Sequence, residues 1–83
     1  MRTGNDTVDR GIRKLLREGF HTVAYNRENP IRKSVVLSHE KTGEGAIITF
    51  GSRQTPVLER GNLDAEGPDV KMPVAKYLEH WRP

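Results

Sequence analysis

Arg10, Arg13, Lys14 and Arg17 are the residues of this chain whose type and spacing point most directly to chemistry. On a helix advancing 100° per residue, with Arg10 at 0°, Arg13 falls at about 300°, Lys14 at about 40° and Arg17 at about 340°. The four charges then share a sector of about 100°, opposite Val8, Ile12, Leu15 and Leu16, which fall between about 140° and 240°. Glu18 flanks the sector at about 80° and Asp9 at about 260°, and neither lies inside it. Arg10–Lys14 and Arg13–Arg17 are like-charged i, i+4 pairs, and each costs a few tenths of a kcal/mol that an anionic partner offsets. The plainer reading is the solvated side of an amphipathic helix.

More positive charge follows in Arg27, Arg32 and Lys33, with Arg2 near the N-terminus. Brought beside the helix, these residues make a patch able to contact several phosphates, with strongly salt-dependent binding. Reading of bases needs aromatic or amide groups beside the charges. Tyr25, Asn26 and Asn29 are the candidates, although a large aromatic such as Tyr25 ordinarily serves the core. "FGSRQTP", residues 50–56, places Ser52, Arg53 and Thr55 after a strand, where glycine lets backbone N–H groups approach an anion. It is not a Walker loop and reads first as a turn, with Arg53 as an outlying phosphate contact. Gly43-x-Gly45 reads as a hairpin tip, without the third glycine of a dinucleotide site.

The histidines are His21, His39 and His80. No ligand spacing of a metal site is present, so no metal and no cofactor is expected. His21 and His39 could face each other on paired strands with Glu40 near. Acid–base work by these groups, with Arg53 holding a phosphate, describes a small metal-independent ribonuclease. No serine has a nucleophile-elbow context, and no catalytic residue is assigned. Tyr77 and Trp81 are candidate protein-interface anchors, against the plainer reading that they pack on the sheet.

The elements that must position these groups follow from pattern. Val8, Ile12, Leu15 and Leu16 give one face of a helix over 6–18, capped by Asp6 and ended by Gly19, with Gly11 weakening it by up to about 1 kcal/mol. Residues 20–25, 31–39 and 46–50 read as strands, the last two joined in a hairpin. Val57-Leu58 beyond Pro56 suggests a short, weak edge strand. Residues 61–72 read as a mobile loop and residues 1–5 as a flexible tail. Val74, Tyr77, Leu78 and Trp81 form the stripe of a C-terminal helix with Pro73 at its first position. The expected fold is a small single α+β domain over 1–83, an antiparallel three- to four-stranded sheet with an N-terminal and a short C-terminal helix packed on it. Its α-β-β-β-α order is also that of double-stranded-RNA-binding domains and of small toxins built like them, a likeness of element order that carries no motif and no function.

Bulk composition sets the limits. With 83 residues there is one core, and apolar content of 34% makes it a small one that a homodimer contact would supplement. The absence of cysteine excludes disulfide scaffolds, thiolate sites and cysteine nucleophiles. No apolar run is long enough to cross a bilayer and no secretory signal is evident, so a cytoplasmic protein with no membrane partner is expected. The net charge of +3 is uneven: residues 1–33 hold eight Lys/Arg against four Asp/Glu, and residues 34–83 hold six against seven. The leading expectation is a small basic binding protein that engages nucleic acid, RNA or DNA, as an accessory or regulatory factor. Arg10, Arg13, Lys14, Arg17, Arg32, Lys33 and Arg53 are its expected phosphate contacts. The alternative is an inhibitor or adaptor docking on the acidic surface of a larger enzyme, and the third reading is the ribonuclease.

Overall fold

A computed structural model describes residues 2–62 and 67–82. Helix α1 spans Asp6–Arg17, strands β1 to β5 span Phe20–Asn26, Lys33–His39, Gly45–Gly51, Gln54–Gly61 and Val70–Pro73, and helix α2 spans Val74–Tyr77. The strands form one antiparallel sheet in sequential order β1-β2-β3-β4-β5. The class is α+β as expected, with five strands instead of three or four.

The chain builds this sheet by alternation. Val35, Leu37, Ala46, Ile48 and Leu58 project to one face and are fully buried there. Val8, Ile12 and Leu15 of α1 and Val74 of α2 cover them, so both helices lie on the same face. The opposite face carries Ala24, Val36, Ile47 and Val57, each only half-buried. Leu16 departs from its expected place in the buried stripe: it is 44% exposed, on the margin of the helix face.

Four local expectations are corrected. The cap of α1 is Asn5, whose Oδ1 accepts from the Val8 N–H at 3.1 Å, and Asp6 is the first helical residue. Thr3 donates to Asp9 Oδ1 from its backbone N–H at 2.8 Å and from Oγ1 at 2.7 Å, so the expected N-terminal tail is hydrogen-bonded to the helix. Strand β4 is long and internal to the sheet, because Pro56 lies beyond the β5 partner of Val57 and beside the bulge between Thr49 and Gly51. There a missing N–H removes no ladder bond. The expected loop 61–72 includes β5, where Val70, Lys71 and Met72 pair with Arg60, Glu59 and Leu58. Residues 63–66 of that stretch lie outside the described residues.

Helix α2 is one turn long, and Pro73 ends β5 as its N-cap instead of opening a longer helix. Gly11 explains how α2 reaches the core. A Cβ there would stand 2.7 Å from Val74 Cγ1, so the residue that weakens α1 is also the one that lets the two helices touch.

Candidate nucleic-acid interface

Helix α1 runs along the sheet between two unlike ends. Asn5 and Gly4 begin it beside Pro30, Lys33 and Ser52, at the end formed by the β1–β2 loop and the β3–β4 turn. Gly51 is in contact with the Ile31 carbonyl where a Cβ would not fit, and Ser52 N–H donates to Pro30 O at 3.3 Å. That contact holds the turn carrying Arg53 against the loop carrying Arg27, Arg32 and Lys33. Arg53, expected as an outlier, is therefore carried by a turn that contacts the β1–β2 loop.

Arg13 and Arg17 are exposed on α1, and Arg10 is half-exposed beside Leu78, His80, Trp81 and Arg82. Lys14 is different. Its ammonium donates to Tyr77 O at 2.8 Å and stands 3.9 Å from the centre of the Tyr77 ring, so it fastens α2 to α1. The ridge also holds an acid. Because Asp6 is helical, it falls at about 320° on the same wheel, within the basic sector, and with Asp9 it lines the depression beside Arg2 and Arg13. The basic residues that remain are Arg10, Arg13 and Arg17 on the helix and Arg27, Arg32, Lys33 and Arg53 around the β1–β2 loop and the β3–β4 turn.

Among the described residues, the ion pairs within 4.0 Å are Arg60 with Glu18, Arg60 with Glu44, and His21 with Glu40. None includes one of those basic residues. Two of them lie near aromatic rings instead. Arg27 Cζ is 5.7 Å from the centre of Tyr25 and Lys33 Nζ is 6.0 Å from that of Phe50, and the two rings are stacked at 6.5 Å. Phe50 is buried, while Tyr25 is half-exposed at the mouth of the loop.

The other end was not legible as a unit. Arg60 Nη1 donates to Glu18 Oε2 at 2.8 Å, its Nε donates to Glu44 Oε2 at 3.3 Å, and its guanidinium caps Phe20 at 4.9 Å. The Tyr77 hydroxyl donates to Glu18 Oε1. Burial pushes the Glu18 carboxyl up, but the hydrogen bonds from Tyr77 and Arg60 outweigh it and hold it below its ordinary value. Burial, then the bond to Glu18 and its charge, raise the Tyr77 hydroxyl well above its ordinary value. Burial lowers Arg60, yet the bonds to Glu18 and Glu44 leave it raised. These four residues are far apart in sequence, and no spacing rule joins them.

His39 belongs to this end too. Its Nδ1 accepts from the Lys41 and Thr42 N–H groups at 3.2 and 3.3 Å, which leaves the proton on Nε2 to be donated to Glu18 O at 3.0 Å. It ties the β2–β3 turn to the end of α1 across Gly19, whose φ of 106° and closeness to the ring exclude a side chain. His21 pairs with Ser38 and Phe20 with His39, so the two histidines point to opposite faces and do not form the expected facing pair. Among the described residues no group of three His, Asp or Glu side chains could hold a metal. Tyr77 and Trp81 are half-buried and packed against the core, with the Tyr77 hydroxyl already engaged. No described helix is long and apolar enough to cross a membrane.

Compared with protein-family models, with curated proteins and with solved structures, the chain matches none.

Proposed function

We propose that this protein binds nucleic acid through Arg10, Arg13 and Arg17 of α1 together with Arg27, Arg32, Lys33 and Arg53 at the adjoining loop end, and acts as an accessory or regulatory factor. One contrast carries the reading. Arg60 engages two carboxylates, whereas these seven cations form no carboxylate pair among the described residues. Exposed cations without a carboxylate partner are what a polyphosphate needs, since association releases its condensed counterions. Lys14 contributes charge to the field but is committed to Tyr77. The half-open cleft beside Arg27 and the shallow hollow at Arg10 suit strands and backbones better than a small substrate, and no catalytic group is assigned.

The test is a labelled panel of single- and double-stranded RNA and DNA, titrated with salt. Binding is expected at 50 mM salt and should weaken linearly on a logarithmic plot, with a slope near −5 for about six to seven phosphate contacts. Absence of binding to every probe at 50 mM salt refutes the reading. A protein partner is the second reading, favoured by the uncovered sheet face of Ala24, Val36, Ile47 and Val57. An Ile47→Lys substitution there leaves nucleic-acid affinity unchanged on the first reading.

A further inference from the structure

The β1–β2 loop encloses an open cleft of about 420 Å³ lined by Tyr25, Asn26, Arg27, Glu28, Asn29 and Arg32. We infer that this cleft takes one unpaired base of a single-stranded nucleic acid, an inference that rests on the nucleic-acid reading above and names the form of its substrate. Three features of the cleft converge on that ligand.

The first is a flat, partly exposed π surface with a planar cation beside it. Tyr25 is backed by Phe50 at 6.5 Å and 22°, so the ring is held rigid, and the Arg27 guanidinium lies 5.7 Å from its centre. Rigid aromatic rings and guanidinium planes are the groups on which splayed-out bases stack. The second is an amide whose orientation is set by the loop itself. Asn29 Oδ1 accepts from the Ile31 N–H at 3.0 Å, which leaves its Nδ2 to donate. A free donor on the rim of a stacking cleft matches an acceptor on the polar edge of a base. The third is Arg32, on the same rim and without a carboxylate partner among the described residues, where the phosphate attached to that base would lie.

A base inside a duplex cannot enter such a cleft without being unstacked, so the site favours single strands. The seven basic residues alone would not discriminate in this way, because phosphate contacts carry no information about bases.

The experiment compares three labelled probes of ten nucleotides at 50 mM salt: oligothymidylate, oligouridylate, and an abasic strand with the same phosphates and no bases. The wild-type protein is expected to bind the base-bearing strands about tenfold more tightly than the abasic one, the scale of one stacked base. Arg27→Lys keeps the charge and the loop hydrogen bonds but removes the planar group, and should lower that ratio at least threefold. Adding Tyr25→Leu removes the stacking ring as well and should bring the ratio to about one, with thermal unfolding recorded to confirm that the protein is folded. Equal affinity of the wild type for all three probes, or a ratio that survives the double substitution, overturns the base site and leaves the phosphate surface standing. Failure of all three probes to bind overturns both. A difference between oligothymidylate and oligouridylate that disappears in the double variant would support the site and assign its preference for DNA or RNA.

Discussion

The two ends of α1 use the same residue type for opposite purposes. At the C-terminal end, Arg60 is carried by β4 to the rim of the core, over Phe20, where its guanidinium loses much of its water. Two carboxylates and the Tyr77–Glu18 hydrogen bond compensate that loss. At the N-terminal end and along the helix, Arg13, Arg17, Arg27, Arg32 and Arg53 sit at exposed positions where water already satisfies them. Their charge stays available to a partner. Burial, and not residue type, decides whether an arginine of this chain holds the fold or faces outward, which is why the contrast between the ends carries more than the count of positive charges.

The sharpest way to break the comparison is to reverse charge at the open end. Arg10→Glu, Arg13→Glu and Arg17→Glu together should lower nucleic-acid affinity by at least about a hundredfold at 100 mM salt, while the milder triple alanine variant reduces the salt slope by about 3. Thermal unfolding should change little in the alanine variant, since no carboxylate partner is lost. A large fall in melting temperature with retained affinity would show that the helix ridge is structural. At the paired end the expectation inverts. Arg60→Leu strands Glu18 and Glu44 against each other at the core rim and should destabilise the fold by about 2 kcal/mol after allowance for solvent screening, measured by urea unfolding, with the salt slope unchanged.

A similar loss of stability is expected from Gly11→Val, for a different reason. The new side chain must enter the space held by Val74, which is fully buried and short, so neither residue can turn away. Overpacking of about 2 kcal/mol should result, read as a lower unfolding midpoint and an earlier loss of Trp81 fluorescence structure near α2. Sequence reasoning alone predicts gain from replacing this glycine by alanine, because it sees the helix and not what crosses it.

That failure shows where the sequence was readable and where it was not. Signals carried by local periodicity survived: α1, the hairpin of β2 and β3, and the single buried face all follow from spacing at 3.6 or 2 residues. Pro56 disguised β4, since a proline ordinarily marks an edge, and only the bulge and the end of β5 make it harmless inside the sheet. Val70 to Met72 is too short to announce a strand and is ordered by pairing with β4. Asp6 looked like a cap because Asn5 stands before it with the same capability. At the candidate surface, the exposed arginines were legible because a helix wheel places them. Lys14 was not, because its partner Tyr77 is 63 residues away. The Arg60–Glu18–Glu44–Tyr77 cluster joins three elements and the β2–β3 turn through contacts that no linear pattern encodes.

Tyr77→Phe gives the smallest effect and the finest separation of the two ends. Below pH 10, the ordinary value for tyrosine, the neutral hydroxyl bonded to Glu18 contributes its full stability, and that contribution is lost as pH rises through the raised value of the folded state. For Glu18 the sign is opposite: its contribution is present above the ordinary value of 4.5 and is lost as pH falls through the lowered value of the folded state. Removing one hydroxyl therefore acts on both limbs of the stability curve. It deletes the alkaline dependence of Tyr77, and by taking a donor from Glu18 it moves that carboxyl back toward its ordinary value and makes the acid limb shallower. The cost at neutral pH should be about 1 kcal/mol or less, given that the cluster is only partly shielded from water. Unfolding followed by circular dichroism from pH 3 to pH 12 records the acid limb and the onset of the alkaline one in one series. Nucleic-acid affinity at pH 7 should be unchanged, because Arg10, Arg13 and Arg17 make no bond to Tyr77. If the substitution weakens binding as much as the loss of one arginine does, the two ends are coupled through Lys14 and α2, and the division of labour between them fails.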